Sequence, residues 1–224
     1  MLQSYTYYVC ENRKRCVNRK KSIQKHLRTP NFLYLCSMEL EVKIRRAYID
    51  DAEFIAECVL KAVGIKQIKA KQLNDVLNIV KLDYTLYSWR NTFVAEIEGK
   101  LVGAIISYDG CQYAEMRHNT FELIRKQSGK DFSAMDIETK PGEWYLDSLA
   151  VRWGYRNQGI GTKLINAAIQ EGQKNGINTF SLACEHDNKK AFQLYLQLGF
   201  ITISHIHIFD DDYLKMEWSA ATGA

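Results

Sequence analysis

An apolar run at residues 144–151 (WYLDSLAV), a glycine-bearing junction (RWGYRNQGIGTK), an amphipathic stretch ending at Gly176 and a second apolar run (INTFSLAC) follow one another within about forty residues. Strand, helix and strand in so short a span imply a parallel pair joined by a helical crossover. The flanks add antiparallel partners. Upstream, TFVAEI and LVGAIISY are joined by Glu98, Gly99 and Lys100, a turn cluster of hairpin length. Downstream, residues 189–198 read as a helix closed by Gly199, and FITISHIHIF and DYLKMEW as two last strands. The sheet is therefore mixed.

Nearer the start, residues 41–46 read as a short strand. Asp50 with Glu53 three residues on has the capping-box pattern that opens a helix. Phe54, Ile55, Cys58, Val59, Ala62 and Val63 then fall on one helical face, with Gly64 able to end it. A second helix is expected over residues 68–82, with Leu73, Val76, Leu77 and Val80 inward. Residues 111–143 are less regular, with a helix over NTFELIRKQSG and a loop over KDFSAMDIETKPGE. This segment reads as an insertion beside a ligand site.

The chain has 224 residues, room for one large domain and an appendage, and 46% hydrophobic residues exclude wholesale disorder. No stretch approaches the roughly 18 apolar residues of a membrane span. Six scattered cysteines with no C-x-x-C pair suit reduced thiols in a cytoplasm. Residues 1–37 hold eight basic side chains against Glu11 alone, leaving 22 basic and 25 acidic residues to the body. The net +4 thus belongs to the leader, and the body has no basic surface for nucleic acid. The leader reads as a solvated basic extension, or as residues upstream of a natural start at Met38. Residues 38–219 read as the globular domain and 220–224 as a tail.

Three phosphate loops compete for the junction. After Gly154 and Gly159 comes Ile160 where a Walker A loop needs its lysine context, and Gly159 and Gly161 are followed by Leu164 where a Rossmann turn needs glycine. What remains is Arg156-x-x-Gly159-x-Gly161 at the start of a helix, where free N–H groups and small residues accommodate a diphosphate.

With Y-L-D-S-L-A-V before it and Asn188-x-x-Ala191-x-x-x-Tyr195-x-x-x-Gly199-Phe200 after it, the array resembles the GNAT superfamily of acyl-CoA-dependent N-acetyltransferases. The motifs cover residues 144–200, and the order of elements extends the likeness loosely to residues 41–218. The resemblance implies an α/β fold with a mixed, mostly antiparallel seven-stranded sheet. Its parallel fourth and fifth strands splay apart, and helices cover both faces. It implies acetyl-CoA as co-substrate and no metal. Backbone at Leu149, Ala150 and Val151 would hold the pantetheine arm as an added strand. Amides of Arg156, Asn157, Gln158, Gly159, Ile160, Gly161 and Thr162 would hold the pyrophosphate, with Asn188 also at the cofactor. The Arg156 side chain either adds charge or points to solvent.

By the same resemblance Tyr195 is the general acid that protonates the departing thiolate, and Asp147 the base acting through water, one methylene shorter than the family's glutamate. Glu115, Glu122 and Glu143 are rival carboxylates. Glu138 belongs to a mixed set of charges suited to a cationic amine. His205 and His207 share a strand face near Asp210–212, yet strand histidines are ordinarily plain surface or core residues. Cys184 suits a buried hydrophobe better than a nucleophile. The implied reaction is direct acetyl transfer to a primary amine, a small-molecule acceptor first, with a protein N-terminus or lysine as alternative. A noncatalytic acyl-CoA-binding domain is the other class, and a homodimer is compatible with either.

Overall fold

A computed structural model describes residues 41–209 and 211–220. The basic leader, Asp210 and most of the tail lie outside the described residues. Seven strands form one sheet: β1 (Lys43–Arg46), β2 (Thr92–Ile97), β3 (Lys100–Asp109), β4 (Glu143–Val151), β5 (Thr179–Glu185), β6 (Ile201–Ile208) and β7 (Asp211–Ser219). Their order is β1-β2-β3-β4-β5-β7-β6, with only β4 and β5 parallel. The expected architecture is present. In the β2–β3 hairpin Glu98 and Gly99 both have positive φ, the left-handed pair that matches strand twist.

Alternating side chains feed two cores. On one face Val94, Ala104, Ile106 and Tyr108 meet α1 (Ala52–Ala62), α2 (Ala70–Val80) and α3 (Tyr113–Ser128). On the other, Phe93, Ile105, Phe180 and Met216 meet α4 (Ile160–Lys174), with α5 (Lys189–Gln197) packed alongside. Burial of both faces is what lets β4 and β5 read as continuous apolar runs.

The structure departs from expectation at two places. Asp50 and Glu53 do not form a capping box at α1. Asp51 instead accepts the Tyr48 backbone N–H at 2.8 Å and the Arg45 guanidinium at 2.7 and 3.1 Å, while Arg45 also reaches Glu96 at 2.9 Å. The acidic cluster locks α1 to the β1–β2 edge rather than capping it. Second, α3 begins at Tyr113, six residues before the expected helix. Its inward face is Tyr113, Met116, Thr120 and Phe121, and Thr120 is buried because its hydroxyl accepts from Leu86 N–H and donates to the Met116 carbonyl. A polar residue in the inward stripe hid the period.

α4 lies very close to the sheet at Gly172, where an added Cβ would stand 2.6 Å from Phe180 Cε1 and 2.8 Å from Trp144 Cγ. Gly172→Ala must push two buried aromatic rings aside, so denaturant unfolding should show a loss of about 1–3 kcal/mol.

Candidate active site

Pairing between β4 and β5 runs from Glu143 and Thr179 to Leu146 and Leu182, and then stops. β4 continues to Val151 with β3 as its partner. Where the two strands part, β3 matches Ile105 to Leu149 and Ser107 to Leu146, so Asp147 and Ser148 both stand opposite Ile106. That is a β-bulge on β4. Because side chains alternate, the extra residue reverses the strand's faces. Tyr145 belongs to the core under α1–α3, as does Asp147's partner Tyr108, whereas Leu149 and Val151 belong to the core under α4. The bulge keeps Asp147 in the recess and still gives α4 its apolar contacts.

Beyond Leu146 the edge of β4 that faced β5 is open. A cavity of about 930 Å³ occupies the gap, walled by β4 from Asp147 onward, the start of α4, Cys184, and Asn188, Leu194 and Tyr195 of the α5 region. All the residues expected at the cofactor lie on this wall except Gln158, whose side-chain amide turns back to the Gly154 carbonyl at 3.2 Å. Arg156 is exposed, and its Nε donates to the Val151 carbonyl at 3.0 Å. It ties the junction to the end of β4. Asn188 has a local task too, capping α5 by accepting the Ala191 N–H at 3.2 Å.

The junction itself is built for an anion. Asn157 and Gly159 are both left-handed, and no side chain caps α4. Its first backbone bond runs from Lys163 N–H to Gly159 O, so the amides of Ile160, Gly161 and Thr162 have no helical acceptor. They sit at the positive end of the helix. Gly161 has no demand on it from within the chain: an added Cβ would make ordinary contacts at 3.8 Å with Leu149 and Leu194. Glycine there costs roughly 0.5–1 kcal/mol against alanine, so the space kept clear is on the cavity side.

Tyr195 is half-buried, its ring edge-on to Phe200 at 6.1 Å, and its hydroxyl has no hydrogen-bond partner among the described residues. Burial raises the phenol above its ordinary range, so it keeps its proton at neutral pH. Cys184 is buried nearby, and burial pushes its thiol up to about 11. It is no thiolate nucleophile.

At the other end of the cavity lie two carboxylates. Asp147 accepts from Tyr108 Oη at 2.7 Å and Ser148 Oγ at 2.7 Å. Glu138, from the loop between α3 and β4, accepts from Tyr145 Oη at 2.8 Å and Tyr113 Oη at 3.3 Å. Burial raises both, and the charge of Asp147 adds to burial in bringing Glu138 to about 7. The rival carboxylates stand elsewhere. Glu115 is exposed on α3 and Glu122 pairs with Arg125. Glu143 lies off the cavity wall and is held by Ser181, Thr139 and Lys215 at 2.8, 3.0 and 3.1 Å. Burial pushes it up, but those partners outweigh burial and hold it below the usual carboxylate range. Glu138 is the residue that sequence reasoning left undistinguished, because a loop glutamate carries no periodic signal.

His207 Nδ1 stands 3.1 Å from Asp212 at the β6–β7 tip, and its backbone N–H donates to Asp136 Oδ2 at 2.7 Å. These contacts tie the loop carrying Glu138 to β6.

An open, bulged strand edge beside an uncapped, glycine-rich helix start defines a class. The model of the acetyltransferase (GNAT) family matches residues 67–200, and the chain belongs to that family. The N-alpha-acetyltransferase MAK3 of Arabidopsis thaliana is 27% identical over 144 residues, covering 64% of this chain and 62% of that protein. Human N-alpha-acetyltransferase 30 is 27% identical over 146 residues, 65% of this chain and 33% of that protein. The mouse thialysine N-epsilon-acetyltransferase is 44% identical over 55 residues, 25% of this chain and 32% of that protein. The chain thus spans less than two thirds of the length of these curated relatives. Among solved structures, an N-acetyltransferase from Staphylococcus aureus Mu50 superposes with a TM-score of 0.65 at 24% identity, covering 79% of this chain and 100% of that one. No helix among the described residues is long and apolar enough to cross a membrane.

Proposed function

We propose that this chain transfers the acetyl group of acetyl-CoA to a primary amine by direct attack, residues 38–219 forming the catalytic domain. The observation that carries this reading is a single cavity shared by the open edge of β4, the uncapped start of α4 and the unpartnered phenol of Tyr195. Pantetheine pairs with backbone at residues 149–151, and the pyrophosphate rests on the amides of residues 159–162. The neutral amine attacks the thioester carbon, the carbon–sulfur bond breaks, and the sulfur takes the Tyr195 proton. Asp147 draws the amine's proton through water. A bare acyl-CoA-binding domain has no use for a phenol at the sulfur.

The acceptor is a small amine drawn into the tyrosine- and carboxylate-lined recess. A peptide N-terminus is the second reading, favoured by the N-alpha-acetyltransferases, whose likeness covers 64% of this chain against 25% for the thialysine enzyme. Titration calorimetry of the full chain with acetyl-CoA should show saturable binding. A thiol-release assay across alkylamines, diamines and short peptides should then show turnover with one of these groups. A folded chain that fails to bind acetyl-CoA ends the reading.

A further inference from the structure

Two carboxylates share the recess, and their surroundings are unusual in holding many hydroxyls and little positive charge. Tyr108 and Ser148 donate to Asp147, and Tyr145 and Tyr113 donate to Glu138. The groups that face the pair are Tyr87 ahead of β2, Tyr108 on β3, Tyr113 and Arg117 on α3, Tyr145 on β4 and Tyr213 on β7. Every one of these tyrosines is raised by burial and stays a neutral donor. Arg117 is the one cation among these groups; its Nη2 donates to the carbonyls of Met135 and Ser133 at 2.7 and 3.3 Å, over the Phe121 ring, and among the described residues it forms no ion pair with either carboxylate. Two buried carboxylates without a dedicated counter-ion resist ionising together, so one proton stays on the pair until the pH reaches about 7.

We infer that Glu138 and Asp147 form one proton-sharing pair on the cavity wall, and that its loop member, Glu138, is the catalytic base that takes the proton of the acceptor ammonium. This rests on the acetyl-transfer reading above and replaces Asp147 as sole base. Asp147, on a strand and held by two short hydrogen bonds, carries the resting negative charge and attracts the cation. Glu138, on the loop, holds the shared proton at rest, releases it to water as pH rises through about 7, and in that ionised form takes the ammonium's proton and passes it to water. The balance is simple: the ammonium loses one proton to Glu138 and becomes the nucleophile. On amide formation the nitrogen loses a second proton to water, and Tyr195, having given its own to the coenzyme thiolate, is reprotonated from water. The same pairing explains why the loop is fastened to β6 through Asp136 and His207, since a base on an untethered loop would not hold its position.

The resting pair is tested on the ligand-free full chain by titrating carbon-13-labelled side-chain carboxyls by NMR, with Glu138→Gln used to assign the resonance. Glu138 should titrate near 7, and in Asp147→Asn its midpoint should fall by about one unit or more, because the neighbouring charge is gone. An ordinary carboxylate midpoint in the parent, or one unmoved by Asp147→Asn, overturns the pair. The catalytic role is tested by kcat/KM against pH with whichever amine the thiol-release assay identifies. The parent should lose activity as pH falls through about 7. Glu138→Gln should lose that limb and on the order of 10²-fold in rate, with acetyl-CoA affinity unchanged. A Glu138→Gln enzyme that keeps both rate and limb overturns Glu138 as base. A parent that binds acetyl-CoA yet acetylates no amine overturns the transferase reading instead, while the NMR titration still decides whether the proton is shared.

Discussion

Tyr195→Phe should lower kcat for amine acetylation by about 10²-fold or more, the scale of a lost general acid, while leaving the dissociation constant for acetyl-CoA near the parent's. The substitution removes one oxygen and keeps the ring, so the edge-on packing against Phe200 survives and α5 stays in place. The removed oxygen makes no hydrogen bond among the described residues, which means its loss leaves no buried partner unsatisfied. What disappears is a proton donor that burial keeps protonated at neutral pH, next to where the thioester sulfur would lie. Steady-state rates and calorimetry on the same sample separate the effects. An unchanged kcat would show that water protonates the thiolate.

Gly161→Trp should abolish saturable acetyl-CoA binding and leave thermal unfolding near the parent's. Gly161 sits in the first turn of α4 without positive φ, and a Cβ there meets only methyl groups at 3.8 Å, so the backbone accepts a side chain. The indole then has to project into the cavity over the free amides, where the pyrophosphate is expected to rest. Gly161→Ala is the graded control, since a methyl group adds little bulk and helix propensity favours it by roughly 0.5–1 kcal/mol. A folded tryptophan variant with unaltered binding would remove the diphosphate from this helix start.

These two sites were legible because the chemistry constrains residue type. A backbone approach to a diphosphate demands small residues at one fixed spacing, and Gly159 and Gly161 meet that demand. Tyr195 was legible only through its company, Asn188 and Ala191 three residues apart before it and Gly199-Phe200 after it, because a lone tyrosine on an amphipathic helix looks like core. Asp50 and Glu53 show the opposite outcome. Their spacing fits a cap, but Arg45 on the neighbouring strand offered Asp51 a bidentate ion pair, and the cap did not form. α3 was half-seen because buried Thr120 satisfies its hydroxyl across the core with Leu86.

By itself the sequence determined the strand–helix–strand unit, the mixed sheet, the glycine-bearing start of α4 and the position of the phenol. All of these depend on periodicity and on residues close together in the chain. Only the tertiary structure shows which buried carboxylates come together at the cavity. The bulge at Asp147 and Ser148 is a matter of register between β3 and β4, and no local pattern in YLDSLAV reveals it. Glu138 gains its place because the loop docks on β6 and runs beneath Tyr145 and Tyr113. The physical reason is that a carboxyl's proton affinity is set by burial and neighbouring charge, and both come from residues distant in sequence.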